Sequence, residues 1–198
     1  MSVKEKISGV FKLGKPKSLA NNPINKNEYR ESVYYFAKEK KNETFGNAGE
    51  SHAIDVFSVL FEFAQKELRI FAHNLCSSVP NSEAYMNGLI AFLKKSGTSV
   101  RILLEESPDE ESIEAKPIFQ KLRSLIEEKC QIEIRQTSAR AKYGDCEINF
   151  STKDNESYRI EYDKDKRAAR WNFNDTNVTK RLNFLFDQFF NTAIPVKL

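Results

Sequence analysis

From residue 51 onward the apolar positions switch repeatedly between helical and strand spacing. Ile54, Val56, Phe57, Leu60, Phe61 and Ala64 recur with the helical period, which predicts a helix over 51–67 capped by Ser51. The run LRIFAHNL, 68–75, has the length and composition of a strand. Asn81 or Ser82 then caps a helix that ends at Gly97, with Tyr85, Leu89, Ile90, Phe92 and Leu93 apolar. SVRILLEE, 99–106, is a second strand, and a helix over 112–129 carries Ile113, Ile118, Phe119, Leu122, Leu125 and Ile126. QIEIRQ, 131–136, is the third strand. Between 145 and 174, CEINFS, SYRIEYD and RAARWNFN predict three consecutive strands joined by Asp, Asn and Lys turns. A last helix over 175–191 places Val178, Leu182, Leu185, Phe186 and Phe189 on one face, with Asp175–Thr176 as its cap.

Strands joined through helices imply right-handed parallel crossovers, and the late hairpins add antiparallel strands to the same sheet. RIFAHNL and VRILLE are apolar almost throughout, as strands covered on both faces are. The expected class is therefore α/β, a mixed and mainly parallel sheet with helices on both faces. Upstream, 28–41 reads as a helix offering Val33, Tyr34, Phe36 and Ala37, and 42–50 as a loop. Residues 1–27 read as a basic tail, in which Val3, Ile7, Val10 and Phe11 share one face of a short helix. The expected division is a tail over 1–27, a helix and loop extension over 28–50, and a domain over 51–198.

Charge changes the picture of the tail but not of the domain. Residues 1–41 hold ten Lys and Arg against four Asp and Glu, whereas the remainder holds 21 against 24. The body is thus no uniformly basic nucleic-acid binder, although the tail suits an anionic surface or a partner. Membrane contact through residues 1–13 is the weaker use of that tail, because four apolar residues bury little. The start, MSVKEKISGVFKLGK, lacks an apolar stretch of secretory length, and Ser2 excludes myristoylation. Cys76, Cys130 and Cys146 are odd in number and have no CxxC spacing, so neither a disulfide framework nor a zinc ribbon is expected. A cytoplasmic protein with reduced thiols follows.

The element order over 51–192, with the phrases ELRIFAHNL, SGTSVRILLEE and WNFND, resembles the phospholipase D-like superfamily. The resemblance implies one HxKx4D motif per domain, with His as phosphoryl nucleophile or acid, Lys on the phosphate and Asp orienting locally. A later Asn in a GSxN phrase also touches phosphate. In this chain the motif spacing falls on Glu147, Asn149 and Asp154, and the Asn of the later phrase on Asn172, with Asn174 nearby. Glu147 would repel a phosphodiester and Asn149 supplies no cation, which argues against covalent phosphoryl transfer. The resemblance further implies a two-fold pair of domains, hence a homodimer.

The two histidines, His52 and His73, lie far upstream of the motif. His52 reads as a cap partner or a satisfied buried residue. His73 ends the first parallel strand, where open α/β sheets bind ligands, and that edge collects Asn74, Ser77, Glu105 and Glu106 as well. A plain polar strand end accounts for the same residues. No local spacing supports a metal site in His73, Glu105 and Glu147, and no cofactor is implied. Arg159, Lys166, Arg167 and Arg170, interleaved with Tyr158 and Trp171, suit nucleic acid or phosphate, and equally the wet face of a hairpin. The sequence therefore points first to a catalytically inactive binding module for a partner protein or phosphate-bearing ligand. A phosphodiesterase or nuclease using His73 is the second reading, and an adaptor recruited through the basic tail the third.

Overall fold

The computed structural model describes residues 17, 18 and 26–198. The amphipathic stretch at Val3, Ile7, Val10 and Phe11 lies outside these residues. In chain order the elements are β1 (Lys17–Ser18), α1 (Lys26–Lys38), β2 (Phe45–Asn47), α2 (Glu50–Phe63), β3 (Glu67–Ala72), α3 (Glu83–Leu93), β4 (Ser99–Leu104), α4 (Glu110–Ala115), α5 (Pro117–Glu127) and β5 (Gln131–Gln136). They continue with β6 (Lys142–Tyr143), β7 (Cys146–Glu147), β8 (Asn149–Lys153), β9 (Ser157–Asp163), β10 (Ala168–Asn172), α6 (Thr176–Phe190) and β11 (Ile194–Pro195).

Nine strands form one sheet in the order β1-β2-β10-β9-β8-β3-β4-β5-β11, and β6 pairs with β7 beside it. β3, β4 and β5 are the expected parallel trio. Every pairing from β3 through β8, β9 and β10 to β2 is antiparallel, and tight hairpin turns make two of these four, β8 with β9 and β9 with β10. The sheet is accordingly mixed, with antiparallel pairing the larger share.

Alternation along the strands sorts side chains onto two faces. Ile70, Ile102 and Ile134 face α1, α2, α3 and α5, and that core also contains Tyr29, Val33, Phe45 and Trp171. Phe71, Leu103, Phe150, Tyr158 and Ile160 face the opposite way and pack with Leu182, Leu185, Phe186 and Phe190 of α6. α2 is buried along most of its length, from Ala53 to Phe61, since α1 and α3 flank it above the sheet. Gly88 lets α3 approach, as a Cβ there would lie 3.1 Å from the Phe61 ring.

Two local expectations change. The helix expected over 112–129 is two helices, because Lys116 precedes Pro117 and takes an extended conformation (φ −94°, ψ 122°). Pro117 then starts α5, and Asp109 caps α4 by accepting from the Ser112 amide at 2.7 Å. The stretch 42–50 is not only a loop. Its Phe45–Asn47 pairs with Trp171–Ala169 of β10, and Phe45 stacks on Trp171 with centroids 5.0 Å apart. Trp171 also donates from Nε1 to the Tyr29 hydroxyl at 3.2 Å, so α1 and β2 share the core of the following elements.

Candidate functional site

β8 and β9 break the rule that a covered sheet face is apolar. Their register sets Asn149 opposite Glu161, Ser151 opposite Arg159 and Lys153 opposite Ser157, all on the face beneath the helices. All six are buried. β8 runs antiparallel to β3, so Asn149 lies at the C-terminal edge of the parallel strands. The alternation that puts Phe150, Tyr158 and Ile160 against α6 necessarily puts these polar partners under α2.

A cavity of about 340 Å³ opens at this edge. Its floor is Asn149, Ser151, Arg159 and Glu161, and its apolar wall includes Phe57 of α2 and Tyr85 of α3. Segment 73–82 closes one side, contributing His73, Asn74, Leu75, Ser77, Val79 and Pro80. Asn81 organises this segment. Its Nδ2 donates to the carbonyls of Leu75 (3.0 Å) and Ser77 (2.8 Å), and its Oδ1 accepts from the Ile118 amide (3.2 Å). Leu75 is held at φ 61°, a left-handed conformation uncommon for a leucine and maintained by this surrounding structure.

Arg159 is 3% exposed, with its guanidinium 5.0 Å above the Phe57 ring. Its Nη2 donates to Glu161 at 3.2 Å, and Arg167 approaches the other Glu161 oxygen at 3.6 Å. Burial pushes the Arg159 pKa below its ordinary value, against the pull of Glu161. Arg159 Nε and Asn149 Nδ2 have no hydrogen-bond partner among the described residues. A buried unsatisfied donor costs about 1–3 kcal/mol. Burial raises the Tyr85 phenol above its ordinary value, leaving a neutral ring in the wall.

At the mouth, Glu105 is a buried carboxylate facing Lys164 Nζ at 2.9 Å, His73 Nδ1 at 3.3 Å and Arg140 Nε at 3.8 Å. His73 Nε2 faces Glu106 at 3.3 Å. Both ring nitrogens of His73 are therefore turned to carboxylates. His52 instead stacks on Tyr29, with centroids 3.9 Å apart.

The residues selected from the sequence separate into groups. His73, Asn74, Ser77, Asn149, Arg159 and Arg167 come together in the cavity lining, with Glu105 behind the rim. Glu147 is exposed in the β6–β7 hairpin, opposite Lys142. Asp154 lies at the far end of β8, where its carboxylate accepts from the amides of Gln65 (3.1 Å), Lys66 (2.8 Å) and Glu67 (3.0 Å). Asn172 donates to Asn42 and Thr44, and Asn174 donates to the Lys40 carbonyl. The expected gathering of Glu147, Asn149, Asp154 and Asn172 thus does not form. A hairpin removes the first, and the length of β8 separates Asn149 from the other two. Arg170 lies near the Tyr143 and Tyr162 rings, and Lys166 is exposed beside Asp163. The four basic candidates share no single surface, because Arg159 is interior. Among the described residues no group of His, Cys, Asp and Glu is arranged to hold a metal ion.

Glu161 was the residue the sequence hid. Polar residues at 157, 159 and 161 alternate as on a wet hairpin face, and only α2 above them turns that face into an interior. Lys164 stands in the same basic stretch as Lys166 and Arg167, but its partner Glu105 lies 59 positions away.

No protein-family model and no curated sequence matches the chain. Among solved structures it is similar to TrmBL2, an archaeal chromatin protein described as showing a novel mode of DNA binding. That match has a TM-score of 0.55 and 15% identity, and covers 86% of this chain and 63% of that one. It is also similar to Nuc from Salmonella typhimurium, a phospholipase D family member, at TM-score 0.51 and 14% identity, over 79% of this chain and 100% of that one. The architecture of this chain, a mixed sheet between two helical layers, is the phospholipase D-like fold.

Proposed function

We propose that this chain is a non-hydrolytic binding module that holds a small anionic ligand, phosphate-bearing ligands included, in the cavity at the C-terminal edge of β3. The observation that carries this reading is the pair of buried, unpartnered donors, Asn149 Nδ2 and Arg159 Nε, in a cavity lining. An acceptor on a ligand would satisfy both, with Arg167 and Lys164 near the rim. Two placements support the non-hydrolytic part of this reading: Glu147 lies out in a hairpin, and both ring nitrogens of His73 face carboxylates.

Binding of small anions, carboxylates and phosphate esters both included, followed by calorimetry, tests the module. Binding without turnover of single- or double-stranded DNA and RNA or a chromogenic phosphodiester is the expected result. The rival phosphodiesterase reading is favoured by the position of His73 on the same cavity. It requires turnover by the wild type that disappears in His73→Ala while the fold is retained. The two-fold pairing implied by the family resemblance is tested by light scattering. Among the described residues no helix is long and apolar enough to cross a membrane.

A further inference from the structure

The charge and polarity of the cavity narrow the ligand class, an argument that rests on the anion-binding reading above. Within the lining, Arg159 and Arg167 share a single carboxylate, that of Glu161. Lys164 is already committed to Glu105. The trio Arg159, Arg167 and Glu161 therefore carries one positive charge in excess, and Asp165 stands exposed at the mouth. A dianion would bring its second charge against Glu161 without a cation to receive it. A monoanion matches.

The donors set the head group. Asn149 and Arg159 are diagonal neighbours on one sheet face, because Asn149 pairs with Glu161 and Arg159 with Ser151. Two uncommitted N–H donors suit the two oxygens of a carboxylate. A sugar phosphate or nucleotide carries many more acceptors and hydroxyls than these two groups can satisfy. One side of the lining, Phe57, Ile70, Leu75, Val79, Pro80 and Tyr85, is apolar or aromatic and suits a hydrocarbon body, while His73, Asn74, Ser77 and Ser151 are its further neutral polar groups. At about 340 Å³ the cavity sits at the small end of the usual range for small-molecule sites, about 300–1,000 Å³.

We propose that the cavity takes an amphipathic monocarboxylate, whose carboxylate meets Asn149 and Arg159 and whose aromatic or short acyl body lies on the wall made by Phe57, Leu75, Val79 and Tyr85. The body excludes water from the head group and strengthens its bonds to the floor.

The test is a calorimetric titration of the full chain with phenylacetate, hexanoate, the neutral amides of both acids, inorganic phosphate and ribose 5-phosphate. The acids bind, and each amide binds at least tenfold more weakly. Asn149→Leu and Arg167→Gln each weaken phenylacetate by about tenfold while retaining the wild-type near-ultraviolet circular dichroism. Two positions are used so that failure of one variant to fold leaves the other as the readout. Binding of phosphate or ribose 5-phosphate but of neither acid overturns the monocarboxylate and leaves the anion-binding module standing. Amides that bind as well as the acids, or no binding by any of the six probes, overturn both.

Discussion

The β8–β9 hairpin carries buried polar residues at both ends, and the two ends are built on opposite principles. At the turn end, Asp154 accepts three backbone amides at the entrance to β3, and its own amide donates to the Glu67 carbonyl. Asn183 of α6 completes that end by donating to the Asp154 carbonyl (2.8 Å) and the Asn155 side chain (2.9 Å) and accepting from Thr152 (2.5 Å). At the open end, Asn149 and Arg159 keep donors with no partner among the described residues, and the space above them is a cavity. Saturation marks polar groups that hold the chain together. Unmet capacity inside a cavity is what the proposed ligand would satisfy.

Substitution breaks or sharpens this contrast. The largest effect is expected at the turn end. Asp154→Ala strands three amides and places alanine at φ 52°, and should lower unfolding free energy by about 2–4 kcal/mol in urea melts. A loss below about 0.5 kcal/mol would remove the structural role given to this carboxylate. Asn183→Ala deletes three side-chain bonds at the same end and should cost about 1–3 kcal/mol, non-additively with Asp154→Ala because Asn183 bonds directly to the Asp154 carbonyl. At the open end the sign should reverse. Asn149→Leu removes an unsatisfied donor and should be neutral or stabilising by up to about 1 kcal/mol while weakening ligand binding. A clear destabilisation by Asn149→Leu would place Asn149 with the structural residues.

The smallest expected effect is a pH dependence at the turn. Burial raises the Glu156 carboxyl, but Lys153 and Lys40 outweigh it and hold it below its ordinary value. The unfolded chain then binds more protons at this site as the carboxyls titrate, so stability rises with pH there. The contribution is complete above the ordinary glutamate value of 4.5 and fades as pH falls through the lower folded value. Glu156→Gln should flatten the acid limb of a stability–pH curve below about pH 5 and leave the neutral region nearly unchanged. An unaltered acid limb would show that the lysines do not hold Glu156 in its ionised form.

The parallel trio was legible because β3, β4 and β5 are local patterns separated by helical ones, and 131–136 was read at its observed bounds. β2 was not. Three residues containing Gly46 carry no periodicity, and what makes Phe45–Asn47 a strand is β10, far along the chain. At the site, the strand-end rule pointed to His73, Asn74 and Ser77, which do line the cavity. Motif spacing served less well. It picked out Asn149, which lines the cavity, yet the same spacing joined Glu147, which the β6–β7 hairpin takes out of the strand, and Asp154, which closes the other end. Spacing along a chain measures proximity only where the backbone stays straight.

The pairing of β11 with β5 bears on how copies of this protein meet. β11 covers Arg135 and Gln136, and the Val196 amide continues the contact by donating to the Ile134 carbonyl. Its second residue, Pro195, has no amide hydrogen to offer a newcomer. This short capped flank is a poor template for recruiting a foreign strand, so the sheet is protected there against growing into a ribbon of stacked copies.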